Sequence, residues 1–246
     1  MLKIAIPAAL LVMMTCGPLA LAQAAFEKDR IKTSAGDLEI LFVGHGSLVM
    51  AFGGKVVHID PFSKAADYAK LPKADVILLT HHHFDHLDPD ALKLVRTEKT
   101  AVVASALCVD KVPGALVMKN GDTRTVEGIG IEAVPACNLV HKNDKGQPWH
   151  PKGDGNGYVL TFGETRVYVA GDTENAPEMK ALPKIDVAFL PMNLPYTMSP
   201  EMVADAARAF KPKVLYPYHT GDTDVSRLVE LLKDAPGIEV RIRKMK

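Results

Sequence analysis

The stretch LLTHHHFDHLDPDAL, residues 78–92, decides the fold of this chain. It places four histidines and three aspartates within ten positions, directly after an apolar run. That run, residues 75–80, is short and continuous, which predicts a strand buried on both faces. Asp88 followed by Pro89 predicts the start of a helix, with Asp88 as the N-cap and Pro89 at the first helical position. The polar loop is therefore expected to connect a buried strand to a capped helix.

Read as H-x-H-x-D-H, this loop offers His81, His83, Asp85 and His86 as metal ligands. Alternate residues of an extended segment point the same way, so the first three of these side chains are expected to share a face. Imidazole nitrogen and carboxylate oxygen are donors that zinc, manganese and iron accept. His82 points to the opposite side and is not expected to bind. A solvated histidine-rich loop is the alternative, and a complete site requires partners elsewhere in the chain.

Such partners follow other predicted strands. Three strands end in a side chain that could complete the site: Asp60 after residues 56–59, Asp172 after residues 166–170, and His219 after residues 214–218. An aspartate at such a place is by itself more often a turn residue than a ligand. Loops at strand ends present side chains from a rigid base, so together these residues predict one site assembled from distant strand ends.

The remaining pattern consists of strands in runs, followed by strands that alternate with helices, and it occurs in both halves of the chain. Helices are predicted from the N-cap Ser199 to about residue 210 and over residues 224–233. This order predicts a layered α/β fold with helices covering the sheets, in a single domain. The other predicted strands are residues 38–43, 48–52, 101–104, 115–119, 129–134, 157–162, 187–190 and 238–243.

The first 24 residues have the order of a secretory signal peptide. Lys3 precedes an apolar run that ends near Leu21, and Ala22-Gln23-Ala24 follows as an A-x-A cleavage site. We expect cleavage after Ala24, a single mature domain of residues 25–246 without a membrane span, and a secreted, periplasmic protein. An uncleaved membrane anchor and lipid attachment at Cys16 are the alternatives.

The overall charge gives no sign of a nucleic-acid partner, and the cysteines allow two states. Lys and Arg total 29, as do Asp and Glu, so no basic excess indicates a nucleic-acid partner. A small-molecule substrate is the expected partner, and the oligomeric state is left open. Cys108 and Cys137 remain after cleavage, and they could either form one bridge or be buried as small apolar residues.

Several short motifs resemble those of a known family. The H-x-H-x-D-H motif, Asp172 within AGDT, and His219 after a strand are similar to the metallo-β-lactamase superfamily. The resemblance is to the branch that contains L-ascorbate-6-phosphate lactonase and many uncharacterised metal-dependent hydrolases. It implies a four-layer αββα sandwich of metallo-β-lactamase type, with a two-metal site at the sheet edge. The further matching motifs are GHGS at 44–47, IDP at 59–61, HPKGDGNGYVL at 150–160, AGDT at 170–173 and YTM at 196–198.

The resemblance also implies a role for each matching residue. His81 and His83 would bind the first metal together with a third histidine, and Asp60 would accept hydrogen bonds from ligands behind the metals. Asp85, His86 and His219 would bind the second metal, and Asp172 would bridge both.

The third histidine has more than one candidate. We favour His150, because HPKGDGNG fits the family pattern and leads directly into a strand. His141 is the alternative, and Asn138 could contribute an oxygen in place of either histidine. His45 within GHGS could line the pocket or make a structural hydrogen bond. His58 is expected to be a packed or surface residue.

The function implied is that of a metal-dependent hydrolase with two divalent cations, Zn²⁺ being favoured over Mn²⁺ or Fe. A metal-bridged hydroxide would cleave a lactone, ester, amide or phosphodiester, with a slight preference for a lactone or a phosphorylated sugar-like substrate. Asp85 would accept the proton, and Lys152, Asn193 and Tyr196 would contact the substrate. The alternatives are an iron-dependent oxidoreductase on the same fold and a non-catalytic periplasmic metal-binding protein.

Overall fold

A computed structural model of the chain describes residues 26–245, and it contains two seven-stranded sheets that pack against each other. The predicted signal peptide, residues 1–24, lies outside the described residues and stays a prediction. No helix within residues 26–245 has both the length and the apolar character needed to cross a membrane.

The first sheet contains the strands of the N-terminal half in chain order, β1 to β7. Strands β1 to β4 are antiparallel, and β4 to β7 are parallel. The seven strands are β1 (Glu27–Thr33), β2 (Gly36–Gly44), β3 (Ser47–Phe52), β4 (Lys55–Ile59), β5 (Val76–Leu79), β6 (Ala101–Ala104) and β7 (Leu116–Val117).

The second sheet repeats this plan in the C-terminal half, with the order β14 to β8. Strands β8 to β11 are antiparallel, and β11 to β14 are parallel. The seven strands are β8 (Thr123–Val126), β9 (Ile129–Ala136), β10 (Gly155–Phe162), β11 (Thr165–Val169), β12 (Val187–Pro191), β13 (Val214–Tyr218) and β14 (Glu239–Val240).

Helices cover the outer face of each sheet. They are α1 (Pro89–Val95), α2 (Pro177–Lys180), α3 (Pro200–Phe210) and α4 (Ser226–Leu232), with single 3₁₀ turns at Tyr68–Lys70 and Ala106–Cys108. Asp88 caps α1 by accepting hydrogen bonds from the backbone N–H groups of Asp90 and Ala91. Ser199 caps α3 through the N–H of Met202. Both caps match the sequence prediction, because each uses contacts within one turn of chain.

The core divides into three layers because alternate residues of each strand face opposite sides. In β2, Leu38, Ile40 and Phe42 lie between the two sheets, whereas Leu41 and Val43 face the layer beneath α1. A third cluster joins the second sheet to α2, α3 and α4. The predicted αββα sandwich is therefore confirmed.

Three elements were not predicted from the sequence: β1, β8 and α2. Strand β1 reads EKDRIKT, with one apolar residue, and it lies at the edge of its sheet, where most of its side chains are exposed. Such a strand forms by backbone pairing with β2 and leaves little alternation of apolar residues to detect. The predicted strands at residues 115–119 and 238–243 are each shortened to two residues. Cys108 and Cys137 are free and buried, which is the second of the two alternatives above.

Candidate metal centre

The candidate site forms where parallel strands of both sheets end. Asp60 follows β4 and the H-x-H-x-D-H loop follows β5 in the first sheet. In the second sheet, Asp172 comes shortly after β11 and His219 follows β13. The carboxyl ends of neighbouring parallel strands meet at one edge, which explains why residues so distant in sequence converge.

One ligand cluster consists of His81, His83 and His150, whose donor atoms lie within 4.8 Å of one another. His81 Nε2 and His83 Nδ1 are 3.1 Å apart, and His150 Nε2 lies 3.4 Å from Asp172 Oδ2. The structure brings His150 to this cluster. His141 instead directs its Nδ1 to Glu174 at 2.6 Å.

A second cluster contains His45, Asp85, His86 and His219, and Asp172 groups with one histidine of each cluster, His81 and His86. His86 Nε2 is 3.4 Å from Asp172 Oδ1 and 3.8 Å from Asp85 Oδ2. His219 Nε2 is 3.6 Å from Asp172 Oδ2 and 3.8 Å from Asp85 Oδ2. Tetrahedral zinc with bonds of about 2.1 Å separates its ligand atoms by about 3.4 Å, so this spacing suits a metal ion.

The unpaired atoms of the site show that these residues fit metal ions. The Nε2 atoms of His86, His150 and His219 and the Oδ1 atom of Asp172 are buried without a hydrogen-bond partner among the described residues. A buried polar atom without a partner costs about 1–3 kcal/mol, and a native fold accumulates few of them. Cations at the two clusters would satisfy all four atoms at once.

The second nitrogen of most of these ligands is held by an oxygen, which directs Nε2 into the site. His86 Nδ1 donates to Asp60 Oδ2 at 2.8 Å, and His150 Nδ1 donates to Asn138 Oδ1 at 2.7 Å. His81 Nδ1 lies 3.0 Å from the hydroxyl of Thr80, which in turn donates to Asp60 Oδ2 at 2.6 Å. Asp60 thus lies behind the ligands, where the resemblance placed it, and Thr80 connects it to the other cluster.

The carboxylates and burial shift the pKa values of the site in opposite directions. Burial lowers the pKa of His86, but Asp172 and Asp60 more than offset it and raise the pKa to about 9. Burial alone dominates at His150, where it lowers the pKa to about 4. Burial raises the pKa of Asp172, but the surrounding imidazoles, led by His219, hold it well below its usual range. The metal-free site therefore favours ionised carboxylates among histidines of unequal basicity.

His45 is a site residue that the sequence left undecided. It lies in the turn between β2 and β3 with a positive φ of 54°, and its Nε2 is 3.0 Å from Asp85 Oδ2. Its ring centroid is 3.8 Å from that of His219. Gly46 allows the turn that carries His45 to lie against His86, because a Cβ at position 46 would lie only 2.9 Å from His86 Cε1. The sequence signal for this residue was a histidine between two glycines. In the structure His45 both lines the cavity and makes a hydrogen bond with Asp85.

Asn138 was considered from the sequence as an oxygen ligand, whereas in the structure its Oδ1 accepts a hydrogen bond from His150 Nδ1, and Glu174 was not identified from the sequence. The buried Glu174 carboxylate accepts hydrogen bonds from the N–H groups of Leu139, Val140 and His141, at 2.6, 2.6 and 2.8 Å. Asn138 donates its Nδ2 to Glu174 at 3.2 Å and to the carbonyl of Tyr196 at 2.9 Å. The loop that carries Asn138 is therefore fixed next to His150.

A cavity of about 440 Å³ opens onto the two clusters. Asn193 and Tyr196 line it, together with Phe84 and Trp149, which the sequence had not singled out. Lys152, the third predicted substrate contact, does not line it. Its ammonium pairs with Glu178 at 2.5 Å, and its side chain is 62% exposed. The exposed ion pair with Glu178 keeps the Lys152 side chain outside the cavity.

Known proteins share both the sequence pattern and the fold. Residues 39–219 match the beta-lactamase superfamily domain. A UPF0173 metal-dependent hydrolase from Thermococcus onnurineus is 32% identical over 203 residues, covering 74% of this chain and 84% of the relative. A relative from Methanopyrus kandleri with the same description is 34% identical over 196 residues, covering 75% and 84%.

Solved structures agree with these relatives. The crystal structure of a metal-dependent hydrolase from Parabacteroides distasonis is 49% identical, with a TM-score of 0.86, and covers 90% of this chain and 100% of the other. Igni18, a metallo hydrolase from Ignicoccus hospitalis, is 26% identical with a TM-score of 0.70, covering 84% and 95%. The chain belongs to the metallo-β-lactamase superfamily and is one of its metal-dependent hydrolases.

Proposed function

We propose that this protein is an exported hydrolase that binds two divalent cations, with Zn²⁺ favoured, and cleaves a lactone, ester, amide or phosphodiester. The observation that carries the proposal is the set of unpaired, buried ligand atoms beside an open cavity. Divalent cations at such a site lower the pKa of coordinated water to about 7 and polarise the oxygen of the bond to be cleaved.

The residues around the clusters supply the remaining steps. Asp85 borders the cavity, and burial raises its pKa, but the neighbouring imidazoles of His219 and His45 hold the pKa well below its usual range. Its carboxylate is therefore ionised at neutral pH and can accept the proton of the attacking water at Oδ2. His45 Nε2 fixes this oxygen from 3.0 Å away.

Metal analysis of the purified protein tests the cation count. We expect two equivalents of transition metal in the wild type and loss of at least one in the variant His83→Ala. The neighbouring variant His82→Ala is the matched control, because His82 belongs to neither ligand cluster. A wild-type protein that binds no transition metal after incubation with Zn²⁺ or Mn²⁺ would contradict the proposal.

Activity assays test the role of Asp85. We expect Asp85→Ala to reduce kcat/KM by about 10²–10⁴-fold on whichever lactone, ester or phosphodiester the wild type cleaves, since it removes the proton acceptor and a ligand. Full hydrolysis by Asp85→Ala would exclude this mechanism. Activity that requires iron and oxygen would indicate an oxidoreductase instead.

Export to the periplasm is part of the proposal and rests on residues 1–24. N-terminal sequencing of the protein from a periplasmic extract should begin at Ala25. Recovery of the intact N-terminus in the membrane fraction would favour an anchor.

A further inference from the structure

We propose that the substrate is an uncharged ester, lactone or amide that carries an aromatic or other apolar group, and that phosphorylated substrates are disfavoured. This inference rests on the proposed hydrolase function and names the substrate class of the same site. It departs from the phosphorylated sugar-like substrate that the family resemblance implies.

The walls of the cavity are aromatic and come from both halves of the molecule. Phe84, in the loop after β5, is 68% exposed, and Tyr196, in the loop after β12, is 41% exposed. Trp149, in the loop before β10, contacts Tyr196 edge to face, with ring centroids 4.8 Å apart. A rigid aromatic wall next to reactive groups provides apolar area for the non-reacting part of a ligand.

The loops that carry the lining residues of the cavity also carry most of the exposed large hydrophobic side chains of the described residues. Residues 26–245 contain nine large hydrophobic side chains that are exposed, and five of them belong to the loops that border the cavity: Phe84, Leu139, Val140, Leu194 and Tyr196. The hydrogen bond from Asn138 to the Tyr196 carbonyl joins two of these loops. Isolated exposed hydrophobic residues are ordinary, but a grouped set beside a cavity marks a binding surface.

The described lining of the cavity lacks the two side chains that usually hold a phosphate group. Among the described residues that line it, none is Lys or Arg. Phosphate groups are usually held by a bidentate Arg or by a Lys. Lys152 is paired with Glu178 outside the lining, and the Lys64 ammonium lies over the Phe84 ring, 5.7 Å from its centroid. An anionic group held against the aromatic wall, away from the cations proposed at the two clusters, would lose its hydration without a Lys or Arg side chain to compensate.

The polar groups that remain suit an uncharged ligand. Asn193 contributes a neutral amide to the lining, and Asp85 and Asp172 contribute carboxylates. A cavity of about 440 Å³ falls within the range of small-molecule sites, roughly 300–1,000 Å³. The reacting carbonyl is thus expected at the ligand clusters, with the apolar group against Phe84, Trp149 and Tyr196.

A fluorescence titration measures binding without turnover, because Trp149 is the single tryptophan of the chain and lines the cavity. The probes are 4-phenyl-2-butanone, which cannot be hydrolysed, and its ring-sulfonated analogue. We expect the neutral ketone to change the emission of the metal-loaded full chain, and to bind about tenfold more tightly than the sulfonate. Equal affinity for the two probes would overturn the inference.

A pair of esters measures the same preference during turnover. Phenyl acetate and 4-sulfophenyl acetate differ by one remote charge, and each rate is divided by that ester's rate of hydrolysis by hydroxide. We expect kcat/KM to favour the neutral ester by about tenfold. A corrected preference for the sulfonate, or none at all, overturns the inference while leaving the hydrolase function intact.

Variants at the cavity mouth locate the cause of the preference. Phe84→Lys adds a cation to the exposed aromatic wall and should shift the ester ratio toward the sulfonate by about five- to tenfold. Phe84→Leu keeps the wall apolar, and Val229→Lys adds the same charge on α4, so both should retain the wild-type preference. A shift of equal size in Val229→Lys would assign the preference to overall charge and overturn the inference.

If the metal-loaded protein cleaves neither ester nor any substrate of the wider panel, the proposed hydrolase function fails. The ketone titration still decides on the chemistry of the cavity in that case. Tighter binding of the neutral ketone supports the inference as a binding preference, and failure of both probes to bind contradicts it.

Discussion

Two buried carboxylates stand behind the ligand histidines, one in each half of the chain, and they act at different distances from the ligands. Asp60, after β4, accepts directly from His86 Nδ1 at 2.8 Å. Glu174, which follows β11, accepts hydrogen bonds from residues 138–141 and is linked to His150 through Asn138. The first carboxylate orients an imidazole, and the second orients a loop.

The difference lies in what each carboxylate binds. Asp60 takes side-chain donors, together with one backbone N–H from Thr80. Glu174 takes three successive backbone N–H groups in addition to the side chains of Asn138 and His141. Burial raises the pKa of Glu174, but these backbone hydrogen bonds more than offset burial and lower the pKa. We infer that removing Asp60 disturbs ligand geometry directly, whereas removing Glu174 first loosens residues 139–141.

The largest loss of metal affinity among these three positions is expected for Asp60→Asn. The amide of Asn keeps only one acceptor oxygen, so either the Thr80 backbone N–H or the pair of Thr80 Oγ1 and His86 Nδ1 faces a donor nitrogen, and the position of the H-x-H-x-D-H loop or of His86 is disturbed. Such changes behind a metal ligand lower metal affinity by about 10–100-fold, and the upper part of that range is expected here. Competition with a chromogenic chelator measures the affinity. Asp90→Asn, an exposed carboxylate in α1, is the control, and an equal loss in both variants would contradict a specific role for Asp60.

A smaller effect is expected for Asn138→Ala, which removes the acceptor of His150 Nδ1 and of the His150 backbone N–H. Metal affinity should fall by about tenfold. If metal loading shows two resolved steps, the step weakened in Asn138→Ala should differ from the one most weakened in Asp60→Asn. Weakening of the same step in both variants would show that the two clusters are not positioned independently.

Glu174→Gln should lower metal affinity by less than Asn138→Ala, because Asn138 itself remains. Its signature is faster hydrogen exchange of the backbone N–H groups of residues 139–141, which the carboxylate binds. Glu178→Gln, which removes a surface carboxylate paired with Lys152, is the matched control. Unchanged exchange at these three amides would refute the proposed role of Glu174.

His58 is a buried histidine of β4 that lacks the carboxylate partners of His86, and it should make the stability of the fold depend on pH. Burial lowers its pKa from 6.5 to about 4, with the carbonyl of Pro72 as its partner. The folded state therefore keeps His58 neutral, while the unfolded chain takes up a proton below pH 6.5. The contribution of neutral His58 to the free energy of unfolding is fully present above pH 6.5, and it falls by about 3 kcal/mol as the pH drops to 4.

Urea unfolding between pH 4 and 7, with a chelator present, tests this dependence. His58→Gln retains a donor for the Pro72 carbonyl but cannot titrate, so its free energy of unfolding should fall less steeply below pH 6.5 than that of the wild type. Metal affinity at neutral pH should be unchanged. Parallel pH profiles for the two proteins would exclude His58 as the cause.

Much of the site was predictable because its signals are local. The H-x-H-x-D-H spacing follows a buried strand, and Asp172 and His219 each come at or shortly after the end of another. Parallel pairing brings such residues to one edge within each sheet, and the packing of the two sheets brings the two edges together. The caps Asp88 and Ser199 are likewise read from neighbouring residues.

The sequence by itself determined the layered fold and the residues of the H-x-H-x-D-H loop, because hydrophobic alternation and ligand spacing act over a few residues. Only the tertiary structure shows that His150 and not His141 lies with His81 and His83, because Glu174, more than 30 residues away in the chain, holds His141 and Asn138 holds His150. It also decided that His45 joins Asp85 across 40 residues and that Lys152 turns away to Glu178. These outcomes depend on which loops meet in space, and no local pattern of side chains encodes that.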